Sequence, residues 1–206
     1  MSTRVATRRR APRRLVTLVA WLLVIGAVAT TWALVHQSMP GWYARLWYPL
    51  EHEETIREEA ARNDLPPELV AAVIHAESGF IPDSRSSEGA VGLMQVLPST
   101  AEWVAGHPGR PSPGPSDLED PETNIAYGAY VLGHMRREFG SVPAALAAYN
   151  AGDANLRGWQ ARARARGEAF RIPEDVPFPE TRAYVVKVMD LMAVYRRAYG
   201  EELSAS

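Results

Sequence analysis

The sequence predicts a mainly α-helical domain behind one apolar N-terminal helix. Residues 15–35 contain no charged side chain. Beyond about residue 50, apolar residues recur at the 3.6-residue spacing of helices, and no strand-like alternation of any length appears. The 206 residues accommodate one membrane or targeting element and one domain of roughly 150 residues.

The N-terminus has the composition of a membrane-targeting segment. Residues 1–14 carry six arginines and no acid, which predicts a basic cytoplasmic N-terminus and places the following domain outside the cytoplasm. As a helix, residues 15–35 would be about 31 Å long, enough to cross a bilayer. We favour an uncleaved transmembrane signal anchor because apolar residues continue to Val35. A signal peptide cleaved near residues 27–29, with secretion of the domain, is the alternative.

Residues 36–50 form an aromatic connector. Its rings are Trp42, Tyr43, Trp47 and Tyr48, and Trp32 precedes them. Amphipathic rings favour the membrane interface, so the cluster is expected at the outer end of the anchor. At the other end of the chain, residues 201–206 are interpreted as a tail.

Composition excludes several classes of site. The absence of cysteine excludes disulfides and thiol chemistry. Beyond residue 14 the chain has 16 basic and 24 acidic residues, a formal net charge of −8, which argues against nucleic-acid binding. The five histidines lack metal-ligand spacing, and the glycines do not match a phosphate loop. We therefore expect no metal and no cofactor.

Helix signals divide the rest of the chain. A helix beginning near Glu53 and ending at residues 63–64 is followed by one that starts at residues 65–67. Further helices are predicted from Pro98, with a capping box formed by Ser99 and Glu102, and over residues 120–139, 141–150, 153–166 and 180 onward. The Pro- and Gly-rich residues 106–116 are interpreted as a surface loop.

Glu77 is the candidate acid. Val70, Val73 and Ile74 form one apolar stripe, and Glu77 lies on its continuation. A carboxyl there loses hydration, which raises its pKa and allows it to act as a general acid. The alternative is a solvated carboxylate that merely ends the helix.

Three motifs in order extend this interpretation. They are Glu77-Ser-Gly-Phe, residues 86–95 (SSEGAVGLMQ) and residues 148–152 (AYNAG). Together they resemble lytic transglycosylases of the soluble-transglycosylase (SLT) type, which have a goose-lysozyme-like helical fold. The resemblance runs from about Tyr48 to Tyr199 and implies an SLT-type domain over residues 51–200.

The resemblance implies that Glu77 works without a second carboxylate. The protonated acid would donate to the oxygen of the β-1,4 bond between N-acetylmuramic acid and N-acetylglucosamine. It would then accept the proton of the C6 hydroxyl that attacks C1, leaving a 1,6-anhydromuramic end. The implied partner is the peptidoglycan glycan strand. The basic N-terminus and the uncharged run, not the resemblance, predict a location in the cell membrane with the domain facing outward.

The resemblance also implies supporting residues around the acid. Ser86 would hold the carboxyl by a hydrogen bond, Gln95 would orient the substrate's N-acetyl group or the glutamate, and Leu97 would line the cleft or the core beneath it. The hydroxyl of Tyr149 would face Glu77.

Two further residues complete the predicted site. Asn150 is expected to fix the local backbone. Glu180 is expected either to contact the sugar or peptide of the substrate or to serve as a first-turn acid that favours the helix dipole.

Three rival functions stay open. A goose-type muramidase would hydrolyse the same bond with an activated water. A non-catalytic, membrane-held glycan-binding module would have no need of the acid. A chitinase-like enzyme would act on uncharged glycans.

Overall fold

The computed structural model describes residues 13–38, 40–107 and 117–204, and it confirms a mainly helical fold. Within these residues the helices are α1 (Arg13–Ser38), α2 (Gly41–Trp47), α3 (Glu53–Arg62), α4 (Pro67–Glu77), α5 (Pro98–Ala105), α6 (Pro121–Phe139), α7 (Val142–Ala151), α8 (Asp153–Ala165) and α9 (Pro179–Ser204), with a 3-10 turn at Asp117–Glu119. The described chain contains isolated β-bridges, between Val91 and both Arg85 and Val96, in the loop after α4.

Helix α1 covers the predicted anchor. Its side chains are described over residues 16–32, and all of them are exposed. Among the residues that the structure describes, no helix combines the length and the apolar character needed to cross a membrane. The basic residues 1–12 lie outside the described residues, as do residues 108–116 of the predicted surface loop.

The connector and the C-terminal residues are built into the domain. Helix α2 lies in the connector and buries Ala44, and the hydroxyl of Tyr199 donates a hydrogen bond to the Tyr48 carbonyl over 2.9 Å. Helix α9 reaches Ser204 through a kink at Tyr199 (φ −135°, ψ 18°), and Leu203 is buried in the core. The segment interpreted as a tail therefore begins inside a helix.

The core is arranged around α4. Its residues 69–74 are completely buried, so the stripe predicted from Val70, Val73 and Ile74 is one side of a helix that is covered all round. The helix packs against α3 and most extensively against α9. Pro67 stands at its first position, where a missing N–H costs nothing. Because α4 runs through the core, its C-terminal residue Glu77 lies within the domain.

Local capping sets the helix boundaries. The Asp120 side chain accepts the N–H of Thr123 at 2.9 Å, and Gly140 ends α6 with φ 76°. These are the predicted limits. The predicted capping box is wrong, because Leu97 is the N-cap of α5 and Ser99 already lies in its first turn.

Substitution of alanine for glycine is expected to have opposite effects on the free energy of unfolding at two helical positions. A Cβ at Gly128 of α6 would lie 2.5 Å from both Cβ and Sδ of Met94, and the Met94 Cβ cannot move without its backbone. A Cβ at Gly158 of α8 would meet only the flexible end of Arg162 at 3.3 Å. We expect Gly128→Ala to lower the free energy of unfolding by about 1–3 kcal/mol. Gly158→Ala should raise it by up to about 1 kcal/mol.

Thermal and urea unfolding of the two variants beside the parent chain measure both effects. Equal shifts for the two glycines would contradict the close packing of Met94 on α6.

Candidate active site

Glu77 is the last residue of α4, and its half-buried carboxyl points toward α9. The hydroxyl of Tyr184 donates a hydrogen bond to Oε1 of Glu77 over 2.7 Å. Tyr184 is itself 9% exposed, which fixes the donor in place. The carboxyl is therefore held in one orientation by a neutral, buried partner.

Burial is the main influence on the protonation of Glu77. Loss of hydration raises its pKa, while the Tyr184 hydrogen bond and the charge of Lys187 lower it, and the net effect is a raised pKa. Burial, together with the charge of Glu77, raises the pKa of both Tyr149 and Tyr184 well above the ordinary value. Both phenols thus stay protonated, and Tyr184 remains a donor.

Lys187 fastens α9 to the end of α4. Its Nζ donates to the carbonyl of Ala76 over 2.9 Å. That carbonyl belongs to the last turn of α4, where the helix dipole is negative and a cation is favourable. The ammonium therefore stabilises the helix end next to Glu77 and offsets part of the cost of ionising the carboxyl.

Ser78 joins the helix end to the loop that follows it. Its Oγ lies 3.1 Å from the Ile74 carbonyl and 2.9 Å from the Leu93 carbonyl. A hydroxyl has one proton to donate, so the two carbonyls share it. This contact holds residues 92–95 beside Glu77.

Asn124 of α6 holds the same loop from the other side. Its side chain is completely buried. Its Oδ1 accepts the N–H of Met94 at 2.7 Å, and its Nδ2 donates to the carbonyls of Val91 at 2.8 Å and Leu118 at 2.7 Å. Two of these hydrogen bonds tie the loop to α6, and the third ties the 3-10 turn at Leu118 to the same amide, so the buried side chain is fully paired.

Gly92 is required by this amide. A Cβ at Gly92 would lie 2.1 Å from Nδ2 of Asn124 and 2.4 Å from the Leu118 carbonyl oxygen, and the residue has φ 83°. Both the space and the backbone conformation thus exclude any other residue without rearrangement.

Two predicted supporting residues fold the loop. Ser86 Oγ accepts the N–H groups of Glu88 at 3.2 Å and Ala90 at 3.1 Å, and in the described part of the chain it makes no hydrogen bond to Glu77. Gln95 has φ 49°, and its Nε2 donates to the carbonyls of Ser84 at 3.2 Å and Gly92 at 2.9 Å. Both side chains therefore form hydrogen bonds to backbone groups of the loop that follows α4.

Tyr149 and Asn150 lie at the end of α7. The Tyr149 hydroxyl donates to the Met94 carbonyl over 2.8 Å and not to Glu77, although its ring is near enough for the glutamate's charge to raise its pKa. Asn150 Oδ1 accepts from the Thr181 hydroxyl at 2.7 Å, which ties α7 to α9.

An open cleft of about 640 Å³ begins at these residues. Its lining includes Leu97, Trp103, His134, Tyr149, Asn150 and Asp153. Leu97 is 37% exposed on the cleft wall. The structure therefore brings Leu97, Tyr149 and Asn150 together on one surface. Tyr149 links this surface to Glu77, whose charge, added to the effect of burial, raises the pKa of the tyrosine.

Glu180 stands apart from this cleft lining. It is exposed in the first turn of α9. It precedes Tyr184 by four residues, so it lies one turn away on the same side of the helix.

The residues that contact Glu77 and the adjacent helix end, Tyr184 and Lys187, were not predicted from the sequence. Tyr184 and Lys187 approach from a helix 107 residues or more along the chain. Thr181, Tyr184 and Val188 are spaced to share the buried face of α9, and that spacing was the available signal. Within the described residues, no cluster of three or more His, Asp or Glu could hold a metal ion.

The raised pKa of Glu77 predicts that this residue destabilises the fold near neutral pH. The folded chain binds its proton more tightly than the unfolded chain, so the free energy of unfolding falls as pH rises from the unfolded pKa through the folded one. Glu77→Gln removes the ionisable group, so the variant does not undergo this fall in the free energy of unfolding. We expect the variant to be more stable than the parent at pH 7, by roughly 1.4 kcal/mol per unit of pKa elevation, and equal to it below about pH 4.

Glu88→Gln is the matched control for this measurement by urea unfolding across pH. Hydrogen bonds from Ser87 and from the local backbone lower the pKa of the exposed Glu88 carboxyl. Its substitution should therefore give a small effect of the opposite sign. A Glu77→Gln protein less stable than the parent at pH 7 would contradict a raised pKa.

Comparisons with known proteins identify the family of this chain. Residues 54–171 match the family model described as the transglycosylase SLT domain. The soluble lytic murein transglycosylase of Escherichia coli (strain K12) is 35% identical over 159 residues, which are 75% of this chain and 24% of the relative. Membrane-bound lytic murein transglycosylase C of Yersinia pestis (strain Pestoides F) is 32% identical over 165 residues, or 69% of this chain and 46% of the relative.

Solved structures give the same result. The 70 kDa soluble lytic transglycosylase of Escherichia coli superposes with a TM-score of 0.69 at 32% identity, over 80% of this chain and 27% of that one. An inactive Glu-to-Gln variant of the lytic transglycosylase Slt of Pseudomonas aeruginosa has the same TM-score at 30% identity, over 81% of this chain and 27% of that one.

This chain spans about a quarter of the length of the soluble relatives that it matches. The family match covers more than half of its own residues, including Glu77, the loop held by Asn124 and the cleft residues of α7. The chain therefore belongs to the transglycosylase SLT domain family, with a lysozyme-like helical fold.

Proposed function

We propose that this chain is a lytic transglycosylase that cleaves the β-1,4 bond between N-acetylmuramic acid and N-acetylglucosamine without consuming water. The observation that carries the proposal is the half-buried Glu77 carboxyl, whose pKa burial raises and whose orientation Tyr184 fixes. A carboxyl of this kind supplies a proton and takes one back within one reaction.

In the first step, protonated Glu77 donates its proton to the glycosidic oxygen. The C1–O bond breaks, N-acetylglucosamine leaves with the proton, and positive charge develops at C1 of the muramic residue. The substrate's own N-acetyl group stabilises that charge. The Tyr184 hydroxyl, already bonded to Oε1 at 2.7 Å, stabilises the carboxylate that forms.

In the second step, the Glu77 carboxylate takes the proton of the C6 hydroxyl of the same muramic residue. The C6 oxygen then bonds to C1 and closes the 1,6-anhydro ring. Glu77 regains its proton, so the enzyme returns to its starting state. One carboxyl suffices because it acts as acid and base in turn.

The relatives support this assignment. Several carry names of lytic murein transglycosylases, and one related structure holds the ligand bulgecin A. The Pseudomonas aeruginosa relative described as inactive carries glutamine in place of a glutamate. An essential acid in that protein agrees with the part assigned to Glu77 here.

We assign glycan binding to the cleft next to Glu77. Leu97, Tyr149 and Asn150 line it and would contact the sugar ring beside the broken bond. Ser86 and Gln95 would act by keeping the loop that faces the substrate in place. Glu180 would contact a more distant sugar or the peptide.

Mass spectrometry of the soluble products from purified peptidoglycan tests the reaction. We expect muropeptides lighter by one water than those released by a lysozyme, because the C6 hydroxyl replaces water as the nucleophile. Glu77→Gln should lower the rate by about 10²–10⁴-fold or more. Glu88→Gln changes an exposed loop acid outside the site and should keep the parent rate.

Other outcomes separate the rival functions. Full-mass reducing ends would show a hydrolase on this fold. Binding of glycan without release of product, by both parent and Glu77→Gln, would show a non-catalytic binding module.

We infer that residues 15–35 anchor the chain in the cell membrane, with the domain on the outer side. The uncharged run, the arginines before it and the exposed apolar side chains of α1 support this inference. One relative is named as membrane-bound. The full chain should stay in the membrane pellet after a carbonate wash, whereas a soluble form beginning near residue 30 would show a cleaved signal peptide.

A further inference from the structure

Helix α2 is fixed to the catalytic domain by one of its two faces. A Cβ at Gly41 would lie 3.3 Å from the Arg197 carbonyl oxygen, and Ala44 is 1% exposed, so small residues let α2 approach α9 closely. Arg45 Nε donates to the Ala198 carbonyl over 2.9 Å. Helix α2 therefore moves with the domain.

Further contacts of Arg45 fix the same helix. The guanidinium pairs with Glu202 and lies 4.8 Å from the ring centroid of Tyr199. An ion pair and a cation–π contact on one side chain restrain its position more than either does alone. The orientation of α2 relative to α9 is thus set by packing, hydrogen bonding and charge together.

The opposite face of α2 presents large apolar side chains to the surroundings. Trp42 is 62% exposed, Leu46 70% and Trp47 65%. Positions 42, 46 and 47 fall on one side of the helix, while 41, 44 and 45 fall on the other. Tyr48, at the end of the same aromatic run, turns inward against His75 with ring centroids 5.3 Å apart.

The position of this face along the chain indicates what covers it. Helix α1 ends at Ser38 and α2 begins at Gly41. Three Cα steps span at most about 11 Å, which is comparable to the polar interfacial layer of a bilayer, about 5–8 Å thick on each side. Tryptophan rings with an apolar body and one N–H donor favour that layer.

We propose that Trp42, Leu46 and Trp47 form a lipid-contact face that seats the catalytic domain directly on the membrane surface. This inference rests on the membrane anchoring proposed for residues 15–35. Because α2 is fixed to α9, and α9 carries Tyr184 and Lys187, the bilayer then sets the height and orientation of the cleft. The enzyme acts on glycan close to the membrane instead of searching at the end of a loose tether.

The absence of cysteine makes this surface measurable in the full chain. Leu46→Cys and, as a second position, Trp42→Cys each place one environment-sensitive fluorophore on the proposed face. Ile81→Cys is the matched control, since Ile81 is an apolar residue with 55% exposure on the loop after α4. Each labelled chain is incorporated into phosphatidylglycerol/phosphatidylethanolamine vesicles with and without headgroup-nitroxide lipid, and is floated on a density gradient.

We expect all three chains to float, and nitroxide lipid to quench the labels at positions 42 and 46 several-fold more than the label at position 81. Equal, weak quenching at all three positions in floating chains would overturn the lipid-contact face while leaving the anchor intact. Chains that fail to float would overturn both. A blue shift at position 46 that depends on protein concentration, without quenching by nitroxide lipid, would overturn the proposal in favour of contact with a second copy of the chain.

Discussion

The chemistry of the site depends on one constraint, which is that ionising Glu77 at the end of α4 is energetically unfavourable. Residues 69–74 of α4 are buried on all sides, and a carboxylate at the C-terminus of this helix loses hydration and faces the negative end of the helix dipole. Tyr184 offsets part of this unfavourable free energy through its hydrogen bond to the carboxyl, and Lys187 offsets another part through its positive charge. The balance leaves a carboxyl that can hold a proton and can also release it, which is what an acid that later serves as a base requires.

The rest of the site keeps this carboxyl opposite a rigid loop. Ser78 binds the loop from the end of α4, Asn124 binds it from α6, and the Tyr149 hydroxyl binds the Met94 carbonyl from α7. Small residues allow these approaches, since Gly92 makes room for the Asn124 amide and Gly128 makes room for Met94. Contacts from three helices therefore position one short loop. The interactions that stabilise this region are the same ones that set the geometry of the site.

The sequence predicted the helices well, and it placed Glu77 at the end of a buried helix, because both features leave local signals. Asp120 and Gly140 marked the ends of α6, and apolar spacing identified the helix that carries Glu77. Partners that meet only in three dimensions left weaker signals. Ser86 was expected to bind the acid, but its hydroxyl is used by the turn that follows it. The contact of Tyr184 with Glu77 was not predicted, because nothing local shows that a hydroxyl will meet a carboxyl 107 positions away.

A carbon-13 titration of the Glu77 side-chain carboxyl tests whether burial raises the pKa of this residue. The resonance is assigned by its loss in Glu77→Gln, and the pH of its midpoint gives the pKa. We expect a pKa above the ordinary 4.5, and a still higher one in Tyr184→Phe and in Lys187→Met, which remove the two stabilisers of the charged form. A midpoint at or below 4.5 in the parent chain, unchanged in both variants, would contradict it.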